Sequence, residues 1–307
     1  MVTTIPGEKS AMPSTQHQAI VDQLLDASAP VSPTLAEMRQ TYDQILLPFR
    51  PVDGTTFVKH SAGGIDVDFV TAPGAAQDRC VLFIHGGGFV LGSAHAYHEL
   101  ASRISAATGS RVALIDYRLA PEAVAPAALD DCMTAYRGLI EHGLDPRHIS
   151  FIGDSAGGGL ALLLAAQLAL SGTPTPAAVV ALSPWIDVAV RADMPDEKQT
   201  GDPMLTPDGL RWFAQAYLAG AAGDDPAHNA LHADLTGMPP VLIQTGTRDI
   251  THQDAVLFAE RARAVGVEVI LDVYPDLIHD WHAYGPELPE GQQAMARVGA
   301  FLAEHTK

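Results

Sequence analysis

The chain has 307 residues, 47% of them apolar, enough to bury the core of one sizeable α/β domain carrying an insertion; it is neither disordered nor fibrous. Eighteen basic residues against 36 acidic ones give a net charge of −18 at pH 7, which disfavours nucleic-acid backbones and anionic membranes and leaves small neutral molecules as expected partners. No basic stretch precedes an apolar one near Met1 to Glu8, no apolar run reaches the ~20 residues of a membrane helix, and two cysteines make no disulfide framework, so Cys80 and Cys132 are expected to be reduced core thiols of a cytoplasmic protein.

Taken in order, two helical patterns come first, Gln16 to Ala27 and Pro33 to Leu46. Thr15 with Gln18 has capping-box spacing, and Ser32 before Pro33 reads as an N-cap with proline at the first helical position. A β-hairpin follows, Thr56 to His60 and Ile65 to Thr71 flanking Ser61-Ala62-Gly63-Gly64. From Val81, strands and helices alternate. Strands are expected at Val81 to Ile84, Arg111 to Ile115, Ile149 to Ile152, Ala178 to Leu182, Val241 to Thr245 and Val267 to Val273. Helices are expected near Tyr97 to Thr108, Pro126 to His142, Ala156 to Leu170, His252 to Val265 and Gln292 to Ala303. The alternation predicts a mostly parallel sheet covered by helices on both faces, with reactive residues in loops beyond the strands' carboxyl ends.

One interval breaks the rhythm, because 58 residues separate Leu182 from Val241. Thr206-Pro207 opens a helix within it. The expected organisation is an N-terminal helical cap segment over residues 1–50 and a catalytic domain over 51–307, with a second cap segment inserted at about 185–238.

Gly153-Asp154-Ser155-Ala156-Gly157 fits the Gly-x-Ser-x-Gly turn and lies between a short apolar strand and a long apolar helix, the setting in which a serine hydroxyl stands clear of a sheet. Such a serine needs a base to take its proton and a carboxylate to orient that base. Asp249 follows the penultimate core strand and His279 the last one, so both fall at strand carboxyl ends. Asp254 reads as the closing residue of a capping box with Thr251, Asp272 lies inside a strand, and His282 is one helical turn too far. His85-Gly86-Gly87-Gly88-Phe89 follows another strand end. Its bare amides, Gly86, Gly87 and Gly88 with Ala156, are candidates to hold a developing oxyanion. A dinucleotide reading of Gly86 to Gly92 fails on spacing. The His95/His98 and His228/His232 pairs lack a third ligand, so no metal site is expected.

These segments, with Asp116-Tyr117-Arg118-Leu119-Ala120-Pro121-Glu122 and Pro126-Ala127-Ala128-Leu129-Asp130-Asp131, resemble the signature set of the hormone-sensitive-lipase-like esterases, on the branch with aspartate before the serine. The resemblance covers roughly Arg50 to the C-terminus. It implies an α/β-hydrolase fold and a carboxylic ester hydrolase needing no cofactor, with Ser155, Asp249 and His279 as triad and Gly87, Gly88 and Ala156 around the oxyanion. His85, Arg118, Glu122 and Asp131 are then structural, and a homodimer through an edge strand or the last helix is implied as well. Two departures stand out: Ala123 and Ala125 replace a usual His and Phe, and His279-Asp280-Trp281 replaces His-Gly-Phe. The second puts a charge and a larger ring beside the base. Phe89, Trp212, Phe213 and Trp281 are the expected pocket residues. The expected substrate is a small neutral ester or a lactone; the alternatives are a non-catalytic receptor on the same scaffold, which an intact His279 disfavours, and an amidase or peptidase.

Overall fold

In a computed structural model, which describes residues 2–3, 12–26 and 33–306, a nine-stranded sheet forms the centre of the chain. In chain order the elements are β1 (Val2–Thr3), α1 (Thr15–Asp26), α2 (Leu35–Leu46), β2 (Thr56–Ala62), β3 (Ile65–Thr71), β4 (Ala76–Ile84), α3 (His98–Thr108), β5 (Ser110–Ile115), α4 (Ala127–Glu141), β6 (Ile149–Asp154) and α5 (Ser155–Ser171). There follow β7 (Val179–Leu182), α6 (Glu197–Thr200), α7 (Pro207–Leu218), β8 (Val241–Gly246), α8 (His252–Ala264), β9 (Val269–Tyr274) and α9 (Pro289–His305). The strand order is β1-β9-β8-β7-β6-β4-β5-β3-β2, and only the β2/β3 and β3/β5 pairings are antiparallel.

Both faces of the sheet are covered, as near-continuous apolar strands require. One face carries α4, α5 and α8, where α5 buries Leu160 to Ala166 against the strands. The other carries α3 and α9, which pack on each other around Leu100, Ile104, Val298 and Phe301. This is the α/β-hydrolase fold. The β2–β3 hairpin turns on Gly63 and Gly64, at φ of +63° and +92°, conformations that glycine adopts without a Cβ penalty.

Two helix caps differ from expectation. Ser14, not Thr15, caps α1, its Oγ accepting from His17 N at 3.1 Å, while Ser14 itself is anchored to Glu290 of α9. Ser32 lies outside the described residues, and α2 begins after Thr34, whose hydroxyl and backbone exchange hydrogen bonds with Glu37. That reciprocal box satisfies two orphan amide donors, which Pro33 at the first helical position would not. The short β1 and α6 carry too little pattern to be read in advance. Cys80 and Cys132 are buried free thiols, and among the described residues no helix is long and apolar enough to cross a membrane.

Candidate active site

The carboxyl ends of β4, β6, β7, β8 and β9, neighbours in the sheet, all point their following loops to one place. At the end of β6 the chain turns straight into α5, and Ser155 takes φ of +49°. The flanking glycines are needed for space: a Cβ on Gly153 would run into the Gly157 carbonyl, and one on Gly157 into the Ile84 carbonyl. A left-handed residue at a helix start stores strain, and it persists because β4 and α5 close around it.

His279, on the loop after β9, places Nε2 2.9 Å from Ser155 Oγ. Its Nδ1 lies 3.0 Å from Asp249 Oδ2, on the loop after β8. A carboxylate only accepts, so Nδ1 carries the proton and Nε2 is left to accept the serine hydroxyl. The other oxygen of Asp249 accepts from Thr251 N and Thr251 Oγ1, both at 2.8 Å. Burial opposes the charged imidazolium, but the Asp249 charge and hydrogen bond, helped by Asp280 and Asp202, outweigh it and raise His279 to about 9. Burial likewise works against the Asp249 carboxylate, and His279 and Thr251 more than compensate, holding it below its ordinary value.

The glycine loop after β4 supplies donors, with one correction. Gly86 is not an open donor, since its N–H is bound to Asp154 Oδ1 at 3.0 Å. Gly87 and Gly88, at φ of +99° and +63°, turn back so that Gly87 O accepts from Val90 and Leu91. The N–H groups of Gly87, Gly88 and Ala156 have no acceptor among the described residues. Ala156 lies in the first turn of α5, where the helix dipole favours negative charge. Three unfilled donors thus lie on the loop after β4 and in the first turn of α5, the elements that flank Ser155.

Phe89 is buried, stacked on Tyr217 of α7 at 4.0 Å and packed against Trp185 at 5.4 Å, and it helps wall a small recess with Leu160, Leu163, Ile186 and Val188. Phe213 lies over Gly88, so that a Cβ there would come within 2.6 Å of its ring. Two expected pocket residues are elsewhere. Trp212 is 43% exposed on the outer side of α7, one residue round the helix from Phe213. Trp281 is fully buried, packed with Tyr274, Leu277 and Val21 under α1 and α9; a ring of that size fills the space where the N-terminal helix docks.

Among the rival residues, His282 is buried with Nε2 against Gln244 Oε1 at 3.1 Å, and Asp272 pairs with Arg297 at 3.1 Å. Asp254 does not close a capping box, for Thr251 makes no side-chain cap. Its carboxylate instead accepts from Arg191 Nη1 at 2.8 Å and Asp187 N at 3.2 Å, inside the protein. His85 stacks on Tyr117, Arg118 pairs with Asp131 at 2.7 Å, and Glu122 pairs with Arg39 of α2, which also reaches Val90 O and Ala120 O. The histidine pairs weighed as ligands gather no third partner among the described residues.

Three supports escaped the sequence reading. Asp202 accepts from Ile250 N at 3.1 Å and from Met204 N at 2.8 Å, tying the insertion to the loop that bears Asp249. Ser183, at φ of +41° after β7, accepts from Asp280 N at 3.0 Å. Tyr97 donates to Asp154 Oδ2 at 2.8 Å, so the aspartate before α5 caps no helix amide. An aspartate before proline, as in Asp202-Pro203, is a turn signal only.

The comparisons agree with this geometry. A family profile described as alpha/beta hydrolase fold matches residues 81–283. An acetyl-hydrolase of Streptomyces hygroscopicus is 39% identical over 76% of this chain and 78% of its own length. An ethyl acetate hydrolase of Pseudomonas putida is 32% identical over 75% of this chain and 74% of its own. The solved structure of an esterase from the bacterial hormone-sensitive lipase family superposes with a TM-score of 0.92 at 37% identity, covering 97% of this chain and all of that one. The chain belongs to the α/β-hydrolase family, among its hormone-sensitive-lipase-like esterases.

Proposed function

We propose that this esterase hydrolyses small neutral carboxylic esters, lactones included, through an acyl-enzyme on Ser155. The observation that carries the reading is the unbroken chain from Asp249 through His279 to Ser155, at 3.0 and 2.9 Å, beside the unfilled amides of Gly87, Gly88 and Ala156. Ser155 Oγ attacks the acyl carbon as its proton passes to His279 Nε2. The carbonyl oxygen becomes an oxyanion held by the three amides, each such donor contributing about 3 kcal/mol. Collapse breaks the ester bond, and the leaving alkoxide takes the proton from His279. Water then attacks the acyl carbon, giving its proton to His279, and the second collapse returns that proton to Ser155 and frees the acid. Asp249 keeps His279 in the right tautomer and stabilises the imidazolium.

The names of the acetyl-hydrolase and ethyl acetate hydrolase relatives support a small acyl group. Helices α1 and α2 and the insertion at about 185–238 are read as a cap, supported by the Arg39 contacts to the loop after Phe89 and by Phe213 over Gly88. The test compares wild type and Ser155→Ala on p-nitrophenyl acyl esters and lactones. Turnover is expected to fall by about 10⁶-fold with the melting temperature unchanged, and adding His279→Ala should cost little more. Substantial turnover by Ser155→Ala would overturn the reading.

A further inference from the structure

Between β4 and α3 the chain runs through residues 85–97 without a helix or strand. Gly87, Gly88, Phe89 and Gly92 all take φ between +63° and +99° there. Glycine-rich backbone has many conformations to lose, so amides that must meet an oxyanion need groups outside the loop to hold them. The segment after β5 supplies three such ties: Tyr117 Oη donates to the His85 carbonyl, Asp116 accepts from Ala94 N, and Ala120 N donates to the Phe89 carbonyl. A second set comes from α2, which lies ahead of the β2–β3 hairpin in sequence.

Arg39, Tyr42, Asp43 and Leu46 follow the i, i+3, i+4, i+7 spacing of a helix and so share one face of α2. Arg39 Nε donates to the Val90 carbonyl at 2.9 Å, beside the turn in which Gly87 O accepts from Val90 and Leu91. Asp43 Oδ2 accepts from Ser93 Oγ at 3.0 Å. Leu46 is buried in one cluster with Ala94, Ala96 and Tyr97, and Tyr42 packs against that cluster. The Tyr42 and Tyr97 hydroxyls are 2.6 Å apart, and Tyr97 Oη donates to Asp154 Oδ2 at 2.8 Å. A hydroxyl has one proton to give, so in the first of these contacts Tyr42 is the donor. The other oxygen of Asp154 accepts from Gly86 N at 3.0 Å. A directed chain thus runs from Tyr42 through Tyr97 to Asp154, the residue before Ser155, and Asp154 holds the first glycine of the loop.

We propose that α2 positions the oxyanion loop, with Tyr42 and Arg39 as its positioning residues. The inference rests on Ser155 being the nucleophile and on Gly87, Gly88 and Ala156 holding the oxyanion. Tyr42 fixes the Gly86 end of the loop through the hydroxyl chain. Arg39 fixes the Val90 end, and its own guanidinium is held in place by the Ala120 carbonyl and Glu122. Gly87 and Gly88 lie between the two anchors, so one helix sets the stretch from both sides. The oxyanion exists only once the new bond forms, so donors out of place raise the barrier to reaction and leave substrate binding alone. A helix that merely enclosed the substrate would change binding instead.

The test removes single groups from α2. Tyr42→Phe takes away one hydroxyl and keeps the ring; Arg39→Met keeps the stem and takes away the guanidinium. Each is expected to lower kcat about tenfold, less than the 10²–10³-fold cost of deleting an oxyanion donor outright, with KM within about twofold of wild type. A trifluoromethyl ketone captures a serine as a tetrahedral adduct with an anionic oxygen, so its affinity should fall by the same factor as kcat/KM. The matching ether, which has no carbonyl, should bind as before. Hydrogen–deuterium exchange should quicken over residues 85–97 and stay at wild-type rates over the loops bearing Asp249 and His279. Either variant alone is enough to read these outcomes. Wild-type kcat, a rise in KM that accounts for the loss of kcat/KM, or exchange that quickens equally in all these loops would overturn the assignment. Exchange does not depend on turnover and can be read in Ser155→Ala as well, so a failure of the positioning role is distinguishable from a failure of the catalytic reading.

Discussion

Gly86 gives its N–H to Asp154 Oδ1 at 3.0 Å, so the first glycine of the loop after β4 holds the residue before the serine, and in the proposed mechanism anion binding falls to the two glycines that follow. A Cβ on Gly86 would overlap Asp154 Oδ2 and stand 3.1 Å from both Ser155 Cβ and Tyr97 Oη. Gly86→Ala is therefore expected to displace Asp154 and, with it, the glycine loop. A shift on the order of 1 Å at reacting groups costs roughly 100-fold. Measured kcat/KM should fall by about that factor, and wild-type turnover in this variant would show that the contact does not set the loop.

Asp249 and Asp254 lie five residues apart and are expected to fail differently. Asp249→Asn favours the wrong tautomer of His279, so kcat should drop by about 10⁴-fold while the fold is kept. Asp254 instead shares Arg191 with Asp187, which also accepts from Asn229, fastening the insertion to α8. Arg191→Ala would leave two buried carboxylates without their cation, at a cost of about 3–5 kcal/mol in stability. Burial pushes Asp254 from its ordinary 3.8 to about 7, with Arg191 opposing. The folded state thus binds the extra proton between those values, and the contribution of this group to stability is fullest at low pH and is lost as pH rises through about 7. Asp254→Asn cannot ionise, so its melting temperature should vary less over that window, with kcat/KM close to wild type.

Turnover should follow the protonation of His279. The base must be neutral to take the serine proton, and its acceptor form dominates only above a value raised to about 9. Below it, kcat/KM should rise roughly tenfold per pH unit, levelling off on the alkaline side. Asp249→Asn removes the main raising charge, so its residual activity should level off at lower pH. A profile flat from about pH 5 to 8 would argue against a histidine base.

The core strands, the serine turn and the order Ser155, Asp249, His279 were legible because each rests on local pattern: an apolar run, a glycine that sterics demand, a loop at a strand end. The supports were not legible, because they are long-range. Nothing near Asp254 in sequence announces Arg191, 63 residues away, and a capping box with Thr251 was the best local reading. Trp281 follows Asp280 directly, yet the left-handed backbone at Asp280, φ of +53°, turns the indole into the cluster under α1 while the Asp280 N–H reaches Ser183. On α7, Trp212 and Phe213 differ by one position. Helical rotation sends one to solvent and the other over Gly88, a choice that composition cannot make.

The aromatic wall around the glycine loop sets the final expectation, on acyl length. Phe89, Tyr217 and Trp185 are buried, with Phe89 stacked on Tyr217 and packed against Trp185, and Phe213 covers Gly88, so rings are expected to bound the space beside Ser155. An acyl chain entering it gains about 0.8 kcal/mol per buried CH₂ until a ring is reached, after which each further carbon clashes. Esters of roughly two to eight acyl carbons should therefore be cleaved fastest, as a bounded pocket discriminates chiefly by fit. Phe213→Ala should move the optimum to longer chains, since the half-buried ring can be removed without opening the core under the sheet. The net charge of −18 works against an anionic lipid surface, so no rise in rate is expected when a short-chain triglyceride passes its solubility limit. Faster cleavage of sixteen-carbon than four-carbon esters by wild type, or a jump in rate as droplets form, would show that the site opens as a platform for lipid.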